Sequence, residues 1–208
     1  MPHEFNKALE SFKKDFNKIK GKEFRSNRKH NTGIGKTFED LIGVEENNNL
    51  LIDYQNQIEL KSQRQFTGSM LTLFTKSPSP QGVNTFLKDN FGSPDEKFPE
   101  YNILHTTMNA VSFNTYKGKY GFKIELNDEE EKAIILVKDL ESNRIVNDEA
   151  YYDYCILKNI VETKCKNIAY ISAKNRKHDG HEYFIFDKAT MLSGLTYEKF
   201  MTLLREGI

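Results

Sequence analysis

The sequence predicts an α/β or α+β fold in which helices flank a mixed central β-sheet. Three stretches, 4–20, 151–163 and 197–206, repeat apolar residues every three or four positions, which indicates amphipathic helices. Between them lie short runs of β-branched and aromatic residues bounded by turn residues, a pattern typical of strands. A chain of 208 residues is long enough to bury a core, and we expect one domain over residues 1–208.

Helical signals open the chain. A polar and basic loop, 22–31, separates the first helix from a second one expected at 36–42, which Gly43 can end as a C-terminal cap. In the first helix the stripe that would face the core comprises Phe5, Leu9, Phe12, Phe16 and Ile19.

Strand signals dominate the rest of the chain. Two prolines make 77–81 a loop, and a short helix is expected at 84–90. Near the end, Gly207 is placed to cap the helix at 197–206. The strands that we expect are 50–53, 57–61, 71–75, 103–107, 120–126, 133–137, 168–173 and 182–186.

Composition excludes several classes of protein. The sequence has no run of about 18 apolar residues, so no segment is expected to span a membrane. Residues 1–20 lack the apolar centre of a signal peptide. The two cysteines, Cys155 and Cys165, are too few for a disulfide framework, and a reduced cytoplasmic location is expected. Cys155 lies among apolar residues, and we interpret it as a packing residue.

Charge is unevenly distributed along a chain whose formal net charge is zero. Residues 1–36 carry 10 Lys and Arg against 4 Asp and Glu, whereas residues 37–160 carry 12 against 20. A basic first segment and an acidic middle suit a protein that contacts phosphates and binds a cation. Charge alone does not separate this interpretation from a basic helix face that is merely solvated.

The segment Gly33-Ile-Gly-Lys-Thr37 resembles the end of a phosphate-binding P-loop. That motif needs a glycine five residues before its second glycine, but His30 occupies the position, and no apolar strand precedes the segment. We therefore expect a glycine-bearing turn into a helix, where the backbone can lie close to another strand or to a DNA phosphate.

The segment 53–61 combines two carboxylates with a lysine. Glu59 and Lys61 point to the same face of a strand, because side chains alternate with period two. A tight turn before them can bring Asp53 beside Glu59, and these carboxylates with the Leu60 carbonyl are the hard oxygen ligands that Mg²⁺ prefers. Lys61 could then polarise an attacking water or stabilise negative charge at a phosphate. Alternating charges on an exposed strand would give the same pattern by chance.

Glu39 is the third acidic candidate. It lies on the expected helix 36–42, at the border of the face formed by Phe38, Leu41 and Ile42. From there it could lean toward the strand pair and bind a water beside the metal. The alternative is ordinary solvation of a helix surface, which we also assign to Asp40.

Several segments resemble the MvaI/BcnI-type restriction endonucleases, in the same order and over nearly the whole chain. MutH-type mismatch-repair nickases are similar at a greater distance, sharing the Gly-x₃-Glu helix and the Asp…Glu-x-Lys strand pair. The segments that carry the resemblance are 31–43 (NTGIGKTFEDLIG), 58–61 (IELK), 71–78 (LTLFTKSP), 103–106 (ILHT) and, more weakly, 170–173 (YISA).

The resemblance implies a restriction-endonuclease-like fold and Mg²⁺-dependent hydrolysis of double-stranded DNA at a short specific sequence similar to CC(A/T)GG. Asp53 and Glu59 would match the metal ligands of the family, and Lys61 its catalytic lysine. Glu39 would match its accessory acidic residue. Such enzymes act as monomers that nick one strand at a time, with a cognate DNA methyltransferase in the host.

Basic residues near these motifs are expected to contact DNA. Members of the family continue into a further segment rich in Arg, His and Gly that helps to read bases, so we expect this chain to lack part of the recognition lobe. The residues that we expect to contact DNA are Arg25, Arg28, Lys29, Lys36, Arg64, Lys76 and His105.

Two alternatives to a restriction enzyme stay open. One is a MutH-like repair nickase that acts with partner proteins, and the other is a catalytically silent DNA-binding module. The intact trio Asp53, Glu59 and Lys61 argues against the silent module. His178 and His181 flank Asp-Gly, which favours a surface hairpin over a metal site, since one loop offers too few ligands.

Overall fold

The fold consists of five helices and nine strands within the residues that the structure describes, which are 2–45, 52–68 and 70–208. The structure is a computed structural model. The helices are α1 (Pro2–Ile19), α2 (Gly33–Leu41), α3 (Val83–Phe91), α4 (Tyr154–Lys164) and α5 (Tyr197–Glu206). The strands are β1 (Glu23–Arg25), β2 (Glu59–Arg64), β3 (Ser93–Pro94), β4 (Asn102–Ile103), β5 (Tyr120–Asn127), β6 (Lys132–Asp139), β7 (Arg144–Asp153), β8 (Asn167–His178) and β9 (His181–Ser193).

The chain divides into two compact units, and most of the second is inserted into the first. The first unit comprises Met1–Phe74 and Glu162–Leu195, and the second comprises Thr75–Val161 and Thr196–Ile208. The expectation of one domain over residues 1–208 stays a prediction.

The first unit is built on a four-stranded mixed sheet with the order β1-β9-β8-β2. β2 pairs with β8 in parallel, whereas β9 pairs antiparallel with both β8 and β1. β2 is therefore an edge strand within the described part of the chain. The mixed sheet with its flanking helices confirms the predicted α/β class.

Aromatic residues fill the space between this sheet and the helices α1 and α2. Phe38 of α2 is fully buried, and its ring centroid lies 5.2 Å from that of Phe186 on β9. Phe12 of α1 contacts Tyr54 edge to face, with a centroid distance of 5.6 Å, and the Tyr54 hydroxyl donates to Asp15 of the same helix at 2.7 Å. These contacts fix the segment that precedes β2 against α1.

The second unit contains an antiparallel three-stranded sheet, β5-β6-β7, with α3 packed beside it. Phe122 and Val137 are fully buried in its core, together with Leu87 and Phe91 of α3. α5 begins at Thr196, whose side chain accepts a hydrogen bond from the Lys199 amide, and it ends at Gly207, which has a φ of 77°. The expected cap at Gly207 is confirmed.

Most of the predicted elements are present, with several corrections. The expected strand at 71–75 is wrong, because these residues have no regular structure, and 103–107 shortens to β4. Residues 151–153, expected to begin a helix, end β7 instead. In the expected strand 50–53, residues 50 and 51 lie outside the described residues, and 52–53 are not a strand. The strands β1, β3 and β7 were not expected.

Two further expectations were tested by burial and helix length. Cys155 is exposed, so its interpretation as a packing residue is wrong, whereas Cys165 is buried. The buried positions of α4 are Tyr154, Leu157 and Val161, and this spacing turns Cys155 outward. No helix of the described residues is long and apolar enough to cross a membrane.

Candidate active site

A tight turn places Asp53 beside β2, as the sequence predicts. Gln55 and Asn56 both have positive φ, 49° and 54°, and the Gln57 amide donates to the Tyr54 carbonyl at 3.0 Å. Two central residues of this kind define a type I′ turn, whose twist suits a hairpin. The chain therefore reverses between Tyr54 and Ile58. The Tyr54 amide donates to the Ile58 carbonyl at 2.9 Å, and the Ile58 amide donates to the Tyr54 carbonyl at 3.2 Å.

Asp53 is held by the backbone of β2. Its Oδ2 accepts a hydrogen bond of 2.9 Å from the Leu60 amide. In a strand the amide and carbonyl of one residue point to the same edge, so the Leu60 carbonyl is directed to the same side as Asp53. The Leu60 side chain is buried in the core beneath, together with Ile58. This geometry supports the Leu60 carbonyl as a candidate ligand.

Glu59 is a buried carboxylate with only 3% of its surface exposed. Burial raises its pKa, the hydrogen bond from Lys61 opposes that change, and the nearby charge of Asp53 raises the pKa further. Its Oε1 accepts from Lys61 Nζ at 2.9 Å, whereas its Oε2 is buried without a hydrogen-bond partner. Burying such an oxygen costs free energy unless a cation or a hydrogen-bond donor contacts it.

The donor set fits a hard divalent cation. Mg²⁺ takes one or two carboxylates and fills the rest of its octahedron with water and substrate oxygens. Asp53, Glu59 and the Leu60 carbonyl supply that number of protein ligands. Within the described residues no three His, Cys, Asp or Glu side chains gather into a metal-binding group.

Two residues near Glu59 were missed by the sequence analysis. Lys164, the last residue of α4, places its Nζ 3.8 Å from Glu59 Oε2. Cys165 is buried beside it, and burial together with the charge of Glu59 raises the pKa of its thiol. Neither could be found from spacing, because they lie more than one hundred residues downstream and arrive only through the pairing of β2 with β8.

Glu39 lies half-buried on α2, and α2 packs against β2. The same helix begins at Gly33, earlier than expected, so both glycines of the P-loop-like segment are helical. A Cβ on Gly33 would lie 2.3 Å from the Arg28 carbonyl. This glycine thus allows a close backbone approach, but its neighbour is the preceding loop, whereas another strand or a DNA phosphate was expected.

The basic loop folds over the end of β2 and the β8–β9 hairpin. Four of the expected DNA contacts, Arg25, Arg28, Lys29 and Arg64, line one concave surface there. Lys36 is bonded to Asp40 on the same helix. Lys76 and His105 belong to the second unit, where both are exposed. All seven stay predictions.

The Arg64 guanidinium forms a bidentate ion pair with the Glu182 carboxylate. Its Nε donates to Oε1 at 2.8 Å and its Nη2 donates to Oε2 at 2.7 Å. The guanidinium also donates to the carbonyls of His30 and Asn31, both at 3.3 Å. This arrangement lowers the pKa of Glu182, chiefly through the hydrogen bonds from Arg64.

Replacing Glu182 by glutamine should lower the melting temperature at neutral pH. It should also make the melting temperature change less as the pH falls. The folded carboxyl keeps its charge to a lower pH than the unfolded one, whose reference value is 4.5. The pair therefore stabilises the fold above that pH and loses its contribution as the pH falls through the lowered value. Melting curves at pH values from about 3 to 7 check this, with Glu23→Gln as the exposed control. Parallel curves for Glu182→Gln and the wild type would contradict it.

The predicted hairpin at His178 and His181 is confirmed. The two residues face each other across a turn in which Asp179 and Gly180 have positive φ, 51° and 72°. The His178 ring stacks on Tyr183 with a centroid distance of 3.9 Å.

Comparisons with known proteins agree with this fold. A sequence profile described as the MvaI/BcnI restriction endonuclease family matches residues 13–208. A solved structure described as a restriction endonuclease MvaI–cognate DNA substrate complex matches with a TM-score of 0.85 and 32% identity, covering 100% of this chain and 82% of that one. MvaI in the absence of DNA matches with a TM-score of 0.53 and 29% identity, over 96% and 80%. The search of curated proteins gives no significant match.

Proposed function

The chain belongs to the MvaI/BcnI restriction endonuclease family, and we propose that it hydrolyses double-stranded DNA at a short specific sequence with Mg²⁺ as its metal. The family and the structural match make it a type II site-specific deoxyribonuclease. The observation that carries the proposal is the buried Oε2 of Glu59, which has no hydrogen-bond partner, beside Asp53 and Lys61. The proposed target is CC(A/T)GG-like, as the resemblance of the sequence motifs implies.

Each residue of the site has a part in the proposed chemistry. Bound Mg²⁺ would act as a Lewis acid that stabilises negative charge on the scissile phosphate. Asp53, Glu59 and the Leu60 carbonyl would hold it. The Lys61 ammonium, hydrogen-bonded to Glu59, lies on the same face and can donate to a phosphate oxygen or orient the attacking water. Glu39 can accept a hydrogen bond from that water. Basic residues of the loop hold neighbouring phosphates.

Incubation of supercoiled plasmid with the protein and Mg²⁺ tests the proposal and its alternatives. A linear product with defined ends supports a restriction enzyme, and sequencing those ends gives the target and the cleavage position. Nicked circles that persist would favour a MutH-like nickase instead. A gel shift without any cutting would identify a silent DNA-binding module. A cognate methyltransferase and a monomeric state are further parts of the proposal, tested by protection of methylated plasmid and by light scattering.

Replacing Lys164 by methionine is expected to tighten metal binding by about threefold or more, or roughly 0.7 kcal/mol. The Lys164 ammonium lies 3.8 Å from Glu59 Oε2 and therefore repels a cation that binds there. Lys61 is closer to Glu59 and does more to keep it ionised, so removal of Lys164 chiefly removes this repulsion. Isothermal titration calorimetry with Mg²⁺ or Mn²⁺ in the absence of DNA measures the effect.

The matched control for this variant is Lys166→Met, which removes the same charge from an exposed residue two positions away. It should bind the metal as the wild type does. If Lys164→Met binds the metal no more tightly than this control, the ammonium does not compete for the Glu59 site.

A further inference from the structure

A basic cleft lies in the first unit, away from Glu59. One wall is the loop at residues 25–31 and the other is the tip of the β8–β9 hairpin, with Arg64 between them. The cleft is open to solvent and has a volume of about 1120 Å³. The basic cleft is the surface formed by residues 25–31, 64, 175 and 177–182.

Positive charge is in excess on this surface. The carboxylates are Asp179 and Glu182, and Glu182 is already neutralised by its ion pair with Arg64. Three histidines add ring N–H donors that suit anionic oxygens. The cationic side chains are Arg25, Arg28, Lys29, Arg64 and Lys177.

The two walls are held together before any ligand arrives. Arg64 bonds Glu182 on the hairpin and the carbonyls of His30 and Asn31 in the loop. The Ser26 amide also donates to the Glu182 carbonyl at 2.8 Å. A surface fixed in this way loses little conformational entropy on binding, which favours a real binding site over a chance group of charges.

The position of the basic cleft relative to Glu59 follows from β2. Arg64 and Glu59 are the two ends of this strand, five residue steps apart. A strand rises about 3.3 Å per residue, so the Cα positions of Glu59 and Arg64 lie roughly 16 Å apart along β2, and because side chains alternate, the two side chains point to opposite faces of the strand.

We propose that the basic cleft binds the sugar–phosphate backbone of duplex DNA that flanks the recognition sequence. The proposal rests on the proposed function, which supplies the duplex and its scissile phosphate. It assigns a binding role to the hairpin tip, and to Lys177 in particular. Backbone phosphates are the same at every position, so the cleft adds affinity without adding sequence preference.

Binding to duplexes of two lengths tests this proposal. One duplex ends at the border of the recognition sequence, and the other extends it by about one helical turn on each side. Fluorescence anisotropy with the metal chelated gives both affinities. We expect the wild type to prefer the longer duplex. Lys177→Gln and Lys29→Gln, one from each wall, should reduce that ratio severalfold and lower the salt slope on the longer duplex by about one unit each.

Lys14→Gln on α1 is the control, because it removes the same charge from an exposed residue outside the basic cleft. It should keep the wild-type ratio. Cleft variants that keep that ratio, or that weaken both duplexes equally, would overturn the proposal.

The plasmid assay tests the proposed function separately. If the wild type cuts plasmid while the cleft variants keep its length preference, the cleft proposal alone fails. If the wild type does not cut, yet Lys177→Gln loses the length preference, the cleft proposal stands and the proposed function fails.

Discussion

Alanine at Asp53 or Glu59 is expected to reduce cleavage of duplex DNA by at least about a thousandfold, or roughly 4 kcal/mol, while DNA binding persists. Each substitution removes a carboxylate that would hold the cation at the scissile phosphate. Binding can even improve, because a negative charge near the phosphates disappears. Single-turnover cleavage and anisotropy on the same duplex measure the two effects.

Asparagine at position 53 separates the charge of Asp53 from its structural hydrogen bond. The amide oxygen can still accept from the Leu60 amide, as Asp53 Oδ2 does at 2.9 Å. Asp53→Asn should therefore keep the wild-type melting temperature but lose the increase in melting temperature that Mg²⁺ gives the wild type. Cleavage by Asp53→Asn or Asp53→Ala at the wild-type rate would show that the site is elsewhere.

Lys61→Ala is expected to lower the cleavage rate by at least about a hundredfold, or roughly 2.7 kcal/mol, with little change in DNA binding. Its ammonium lies 2.9 Å from Glu59 and points to the face where the phosphate would bind. Its loss would remove an interaction made mainly in the transition state. Lys61→Arg should rescue poorly, because a planar guanidinium does not replace a compact ammonium or release a proton near neutral pH.

Melting temperatures distinguish this chemical role from a structural one. Lys61 is the partner of a buried carboxylate, so Lys61→Ala must be compared with Lys61→Met, which keeps the bulk of the stem. Rate losses under about tenfold in both variants, or losses explained by unfolding, would show that Lys61 is an ordinary strand residue without a catalytic role.

The candidate site could be predicted largely because its parts are close in sequence. Asp53, the turn and Glu59–Lys61 lie within nine residues, so strand alternation and turn geometry place them with respect to one another. Lys164 and Cys165 reach the same place through parallel pairing of β2 with β8. No local pattern encodes that approach, so these two residues could be found only from the structure.

Missed elements of the fold have a common physical cause. β1 contains two charged residues and is a strand only because it pairs with β9. Half of the β7 residues are exposed, and neither strand shows apolar alternation. The segment 71–75 shows such alternation but pairs with no strand within the described residues. Tertiary partners override local preference in these three cases. Helices with a clear stripe, such as α1 and α5, were predicted almost to the residue.

The pairing of β2 with β8 also determines when the nuclease becomes competent during synthesis. Glu59 pairs with Ile168 and Arg64 with Ala173, so β2 gains its neighbour only after more than one hundred further residues have been added. Long-range parallel pairing must overcome loop-closure entropy and forms late. On a growing polypeptide Glu59 and Lys61 therefore lie on a strand with no neighbouring β8. The topology therefore delays completion of the candidate site until β8 has been synthesised.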